Sequence, residues 1–175
     1  MNKQLDEQLC KDFPEIFRNR HGDRRTTAMC WGFDCGDGWE PVIRFTCKQI
    51  MSKVNNLRYT IKDIEENLNQ YNWANQEKLD EKKQELEEEQ KLIPVAAQVK
   101  EKFGGLRFYV NGGNDRVWDI IQNAESLSYH VCEECGTMKN VRTYTGGWHR
   151  TLCDEHANEN YGKAKAEEFR KGVEE

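Results

Sequence analysis

Residues 132–156 read CEECGTMKNVRTYTGGWHRTLCDEH, and no other stretch constrains the fold as strongly. Cys132 and Cys135 form C-x2-C, seventeen residues follow, and Cys153 and His156 repeat the spacing as C-x2-H. A tetrahedral Zn²⁺ takes thiolate sulfur and imidazole nitrogen in fours, as two close pairs joined by a short excursion. The two-residue gap lets a knuckle aim both sulfurs inward, and Gly136 relieves the backbone just after it. The second pair opens a predicted helix, where positions three apart share a face. The competing reading is a redox or unligated C-x-x-C, which would have no use for Cys153 and His156. The spacing favours one structural zinc per chain on Cys132, Cys135, Cys153 and His156. Protein fills all four positions, so no open coordination site is left for catalysis.

Around the clip, KNVRTYT and GGWHRTL pair as a hairpin, and HANENYGKAKAEEF makes a C-terminal helix carrying His156 in its first turn. Knuckle, hairpin, then helix-borne ligand is the order of treble-clef zinc fingers. His130 and His149 are surplus to this set, and His21 has no identifiable partner.

Upstream, Leu5, Leu9, Phe13, Ile16 and Phe17 recur at near-helical spacing, with a second short helix expected from an Asp12 cap and Pro14. In CWGFDCGDGWEP, Asp37 reads as the cap of a helix running through Val42, Ile43, Phe45, Cys47, Ile50 and Met51. Cys30 and Cys35 have no histidine nearby and read as buried or half-buried thiols, with a second metal site as the alternative. Trp31 and Trp39 are core anchors or, if exposed together, binding hot spots.

From 57 to 93 the pattern is helical. Ile61, Ile64, Leu68 and Tyr71 form one stripe, while Leu79, Leu86 and Ile93 recur every seven residues. The stripes share no register, which predicts a bend or helical hairpin at NQYNWANQ. The run QEKLDEKKQELEEEQK holds seven acids against four bases, an excess that includes Glu85, Glu87, Glu88 and Glu89. It reads as a solvated face, with an acidic arm for a basic groove as the sharper alternative. After Pro94 the period switches to two: Val95, Ala97 and Val99, then Leu106, Phe108 and Val110 across FGG, predict a β-hairpin. Val117, Ile120, Ile121, Ala124 and Leu127 then share one helical face.

The expected class is α+β: helices and β-hairpins, a C-terminal treble-clef-like zinc finger, and a long charged helical insertion. The expected segments are 1–56, 57–93 (the charged arm), 94–129 and 130–175 (the zinc-finger lobe), together one compact domain plus the arm. A net charge of −5 argues against general DNA or RNA binding, because phosphate neutralisation supplies most of that affinity. An acidic chain suits a basic protein partner instead. Seven cysteines, an odd number, with no signal-peptide core and no long apolar run, predict the cytoplasm and no membrane partner. P-loop, GxSxG, HExxH and Rossmann fingerprints are missing from the sequence. The enzymatic alternative is a metal-dependent nuclease using His149 with Asn158 or Asn160. The leading expectation is a non-enzyme.

Four segments carry a resemblance: CWGFDCGDGW at 30–39, VKEKFGGLRFYV at 99–110, AESLSYHVCEECG at 124–136 and GGWHRTLCDEH at 146–156. In these the chain resembles a small zinc-binding family of phages and prophages of low-GC bacteria. It is similar in size to a lineage of that kind that acts as a type II anti-CRISPR. The resemblance implies an inhibitor that binds a Cas9-type nuclease and blocks target-DNA loading or activation. Candidate contacts are Trp31, Trp39, Glu85, Glu87, Glu88 and Glu89. The alternative from another class is a zinc-finger nucleic-acid-binding or transcription-modulating protein.

Overall fold

The computed structural model describes residues 1–145 and 147–171. Gly146, the first glycine of GGWHRTL, and 172–175, the end of the expected 130–175 lobe, lie outside the described residues. The fold is α+β. Helix α1 (Lys3–Asp12) starts from an Asn2 cap whose side chain accepts the Leu5 N–H. No second helix follows it, because Asp12 belongs to α1 and its carboxylate binds Arg44 rather than capping. The chain turns through 14–20 instead, and Ile16 and Phe17 still reach the core.

A two-residue strand, β1 (Phe33–Asp34), precedes a 3₁₀ turn at Asp37–Trp39 and the long α2 (Glu40–Glu66), whose first turn holds Pro41. Asp37 caps nothing. Its carboxylate accepts the Asn2 N–H and the Asn2 side-chain amide, both at 2.6 Å, and so ties the start of α1 to the start of α2. Helix α2 buries Val42, Ile43, Cys47, Ile50, Met51 and Val54 in the main core, then Ile61 and Ile64 in a smaller one. The expected boundary at 56/57 therefore falls inside one continuous helix. The arm is the outer half of α2 and α3 (Gln76–Lys91) folded back antiparallel, with Ile61, Ile64, Ala74 and Leu79 as its own core. Cross-helix pairs set that direction: Lys83 meets Glu65 at 2.7 Å, and Lys53 meets Glu89 at 2.5 Å. Tyr71 leaves the expected stripe and stacks on Trp73 at the exposed tip.

Strand β2 (Val95–Lys102) pairs antiparallel with β3 (Gly105–Asn111), and β1 adds parallel to the other side of β2. A register shift between Ala96 and Gln98 corrects the simple alternation. Ala96 and Val99 point into the core, while Val95 and Ala97 are only half-buried. An extra residue reverses which face follows it. Helix α4 (Asp115–Ser128), capped by Asn114, packs on this sheet and on α2.

The C-terminal lobe has a separate core of Cys132, Tyr144, Leu152, Cys153, Ala157 and Ala166. Strands β4 (Val141–Tyr144) and β5 (Arg150–Cys153) form its hairpin, followed by α5 (Asp154–Tyr161) and α6 (Lys163–Lys171). One C-terminal helix was expected. Gly162, at φ 78°, divides it in two, a conformation that glycine adopts without the Cβ penalty. Among the described residues, no helix is long and apolar enough to cross a membrane.

Candidate metal centre

The knuckle 132–136 brings two sulfurs to one side because its turn is closed from within. Gly136 donates its N–H to the Cys132 carbonyl at 2.8 Å, and Cys132 donates to the Thr137 carbonyl. Gly136 sits at φ 74°, where a side chain would be strained. Strand β5 delivers Cys153, and the first turn of α5 delivers His156 three residues later on the same face. The structure thus brings together all four residues read from the spacing. Their donor atoms all lie within 4.8 Å of one another, close enough to hold one metal ion. Cys135 Sγ is 4.0 Å from Cys153 Sγ, and His156 Nδ1 is 3.7 Å from Cys132 Sγ and 3.2 Å from Cys153 Sγ. The other ring nitrogen, Nε2, stands 3.9 Å from a Glu159 oxygen, beyond hydrogen-bond distance.

The electrostatics of the sulfurs are uneven. Burial acts to raise the Cys132 thiol. The N–H groups of Cys153, Cys135 and Glu134 at its sulfur outweigh that and hold it below the ordinary thiol range. Cys135 is pushed up to about 11, by burial first, with the Thr137 N–H opposing and the Cys132 sulfur adding. A cation among the sulfurs reverses such penalties, since thiolates are its ligands and binding releases their protons. The remaining thiols are different. Burial pushes Cys10 and Cys35 up to about 12 and raises Cys47 as well, which leaves them inert. Cys30 donates to the Thr27 carbonyl and stands outside the metal set, as does Cys35.

The other candidates separate. Trp39 is 0% exposed and its Nε1 donates to the Val131 carbonyl at 2.9 Å, so it is a core anchor and cannot meet a partner. Trp31 is 72% exposed. Glu85 and Glu89 are half-buried and paired with Lys53 and Lys82, whereas Glu87 and Glu88 face solvent. The pairing is the i, i+3 and antiparallel geometry of a helical hairpin, which consumes two of the four candidate carboxylates. His149 packs its ring 5.9 Å from Phe103, and Asn160 is held by the His156 carbonyl and Arg150.

One functional group of residues escaped sequence reasoning. The glycines of CGDGW form the seat of the knuckle: Gly36 donates to Glu133 Oε1 at 3.0 Å and Gly38 to the Glu133 carbonyl at 2.8 Å. Two glycines spaced two apart beside a tryptophan were the available signal. Burial pushes the Glu133 carboxyl up, against the Gly36 N–H and Arg150, which lower it.

No family model, curated protein or solved structure matches this chain.

Proposed function

We propose that this chain is a zinc-braced, non-enzymatic binding protein whose target is a host defence protein, with a type II RNA-guided nuclease as the favoured one. The closed set of three sulfurs and one imidazole nitrogen carries the reading. Zinc bonds of about 2.3 Å to sulfur and 2.0 Å to nitrogen, at tetrahedral angles, place sulfurs about 3.8 Å apart and sulfur and nitrogen about 3.5 Å apart. The sulfur–nitrogen separations of 3.7 and 3.2 Å bracket ~3.5 Å, and the Cys135–Cys153 sulfur separation of 4.0 Å lies close to ~3.8 Å. Knuckle, hairpin and helix-borne ligand follow the treble-clef order. With every ligand position supplied by protein, the ion holds a lobe together rather than activating water.

The target rests on the family resemblance and on charge. A net charge of −5 and the solvent-facing Glu87 and Glu88 suit a partner that presents a basic channel for nucleic acid. Trp31 supplies an exposed aromatic of the kind that anchors interfaces. The test mixes the purified chain with such a nuclease and its guide. The expected result is co-elution on gel filtration and target cleavage that falls in proportion to added chain until the two are equimolar. A salt-sensitive mobility shift of DNA with cleavage untouched replaces this reading by the nucleic-acid-binding one.

A further inference from the structure

We propose that the knuckle is a peroxide-sensitive switch, in which Cys135 is oxidised, its sulfur closes on Cys153 as a disulfide, and the bound metal is released. The inference rests on the zinc reading above and adds its regulation. The three sulfurs of the set differ sharply in access. Cys135 is exposed, whereas Cys132 is 0% and Cys153 only 5% exposed. A sulfur that ligates zinc is a thiolate, and the thiolate is the form that attacks an oxidant. Each of the other four cysteines lacks access, the thiolate form, or both. Cys35 and Cys47 are buried, while the half-buried Cys10 and Cys30 donate to an Asp6 oxygen and to the Thr27 carbonyl, as only a protonated thiol can.

The resolving sulfur is already in place. Cys153 Sγ stands 4.0 Å from Cys135 Sγ, and a disulfide of about 2.05 Å asks the exposed turn to close roughly 2 Å more. Cys132 is the poorer partner, because the N–H groups of Cys153, Cys135 and Glu134 hold its sulfur where it is. The chemistry balances with one peroxide. The Cys135 thiolate attacks a peroxide oxygen: an S–O bond forms, the O–O bond breaks, and hydroxide leaves with the two electrons that the sulfur gives up. The Cys153 thiolate then attacks the Cys135 sulfur. An S–S bond forms, the S–O bond breaks, and a second hydroxide leaves. Two protons from solvent turn both hydroxides into water. Cys132 and His156 are the donors left, too few to retain the ion.

The new bond keeps the knuckle joined to β5, where the Glu133 N–H also meets the Thr151 carbonyl at 2.9 Å. What comes loose is His156 and with it the first turn of α5. That helix seats α6 through rings: Tyr161 lies 5.7 Å from Tyr144, and Phe169 lies 5.4 Å from Tyr161. Oxidation therefore frees the last two helices while the main body stays folded.

The test first measures zinc in the chain purified under reducing conditions, then adds hydrogen peroxide with a chromogenic chelator of free zinc. About one zinc should be released per peroxide consumed, and peptide mass spectrometry should find Cys135 joined to Cys153. Trypsin should then cut after the exposed Lys163 and Lys165 roughly tenfold faster than in the zinc-loaded chain. Dithiothreitol with added zinc should restore the resistance. Cys10→Ser/Cys30→Ser should leave the release unchanged. Cys135→His, which offers a nitrogen in place of the exposed sulfur, should keep zinc under peroxide, and the disulfide map of the parent decides independently of whether that variant folds. A chain that binds no zinc overturns the metal reading and this inference with it. A zinc-loaded chain inert to peroxide, or one whose disulfide joins other cysteines, overturns this inference alone.

Discussion

The amide of Gly38 donates to the carbonyl of Glu133 at 2.8 Å, joining the start of α2 to the centre of the knuckle. The approach leaves no room for a side chain. A Cβ on Gly38 would stand 2.7 Å from the Cys135 nitrogen and would overlap the Cys132 carbonyl oxygen and the Gly136 nitrogen. All three are backbone atoms, which cannot swing away as a side-chain tip can. Gly38→Ala must therefore push the knuckle off its seat, at a cost of about 2–3 kcal/mol by the usual scale of overpacking. Urea denaturation checks this, and the variant should also retain its metal less tightly. An unchanged midpoint would show that knuckle and seat are not joined in solution.

Metal removal should act locally. The lobe's core is six buried residues, two of them ligands, while the main core around Trp39, Ile43 and Phe108 contains none of the four. Binding energy at such a site is folding energy. Elemental analysis should find about one zinc per chain. Chelation, or Cys132→Ser, Cys135→Ser or Cys153→Ser, should remove the ion and melt β4, β5 and α5 while leaving α2 and α4 helical by circular dichroism. His156→Ala should only weaken retention, because three thiolates and a water still complete a tetrahedron. Loss of all helical signal on chelation would mean the lobe is not separable.

How much of this was legible follows from the range of each interaction. The ligand set and the hairpin between its halves depend on spacings of two and on a local period, so both could be read directly. So could the fold-back of α3, since Leu79 and the outer half of α2 each carry a stripe that needs a partner. Long-range pairings were hidden. Nothing local in CGDGW says that its glycines meet Glu133, nearly a hundred residues on, and nothing in Asp37 says that it holds Asn2 rather than its own helix. Trp39 and Trp31 look alike in sequence, yet the Val131 carbonyl takes one into the core and leaves the other outside. The shifted register in β2 was hidden for another reason: Val95, Ala97 and Val99 satisfy alternation as well as Ala96 and Val99 do.

The Asp37–Asn2 pair gives a pH dependence with a definite sign. The Asn2 N–H, foremost, holds the Asp37 carboxyl below the usual carboxylate range, with the Asn2 side chain adding to it and slight burial opposing. A depressed native pKa means that the unfolded chain binds the proton more readily. The pair's stabilisation is then fully present above the unfolded value of about 3.9 and is lost as pH falls through the lower native one. Asp37→Asn should remove that contribution at neutral pH. As pH falls through that lowered native value, the variant and the parent should converge in thermal midpoint. A gap that stays constant from neutral pH to the acid limit would assign the effect to packing rather than charge.

Charge on the α3 edge makes the last prediction, and it separates steering from docking. Glu87 and Glu88 face solvent, while Glu85 and Glu89 are engaged with Lys53 and Lys82. If a basic partner is drawn to this edge, reversing the two free carboxylates in Glu87→Lys/Glu88→Lys should slow association several-fold at low salt. The dissociation rate should change little, since rim charges act mainly on encounter. The effect should fade as salt shortens the screening length to about 8 Å near physiological ionic strength. Trp31→Ala should do the reverse, raising the dissociation rate at every salt concentration, because a truncated aromatic anchor leaves its pocket on the partner unfilled. Lys53→Ala is the control: it frees Glu89, while Glu85 keeps Lys82, and it does not lower the negative charge of the edge, so it should leave association as fast or faster. Stopped-flow mixing with the nuclease reads all three. Association unchanged by the double reversal would remove the acidic edge from the interface and leave Trp31 as the contact to pursue.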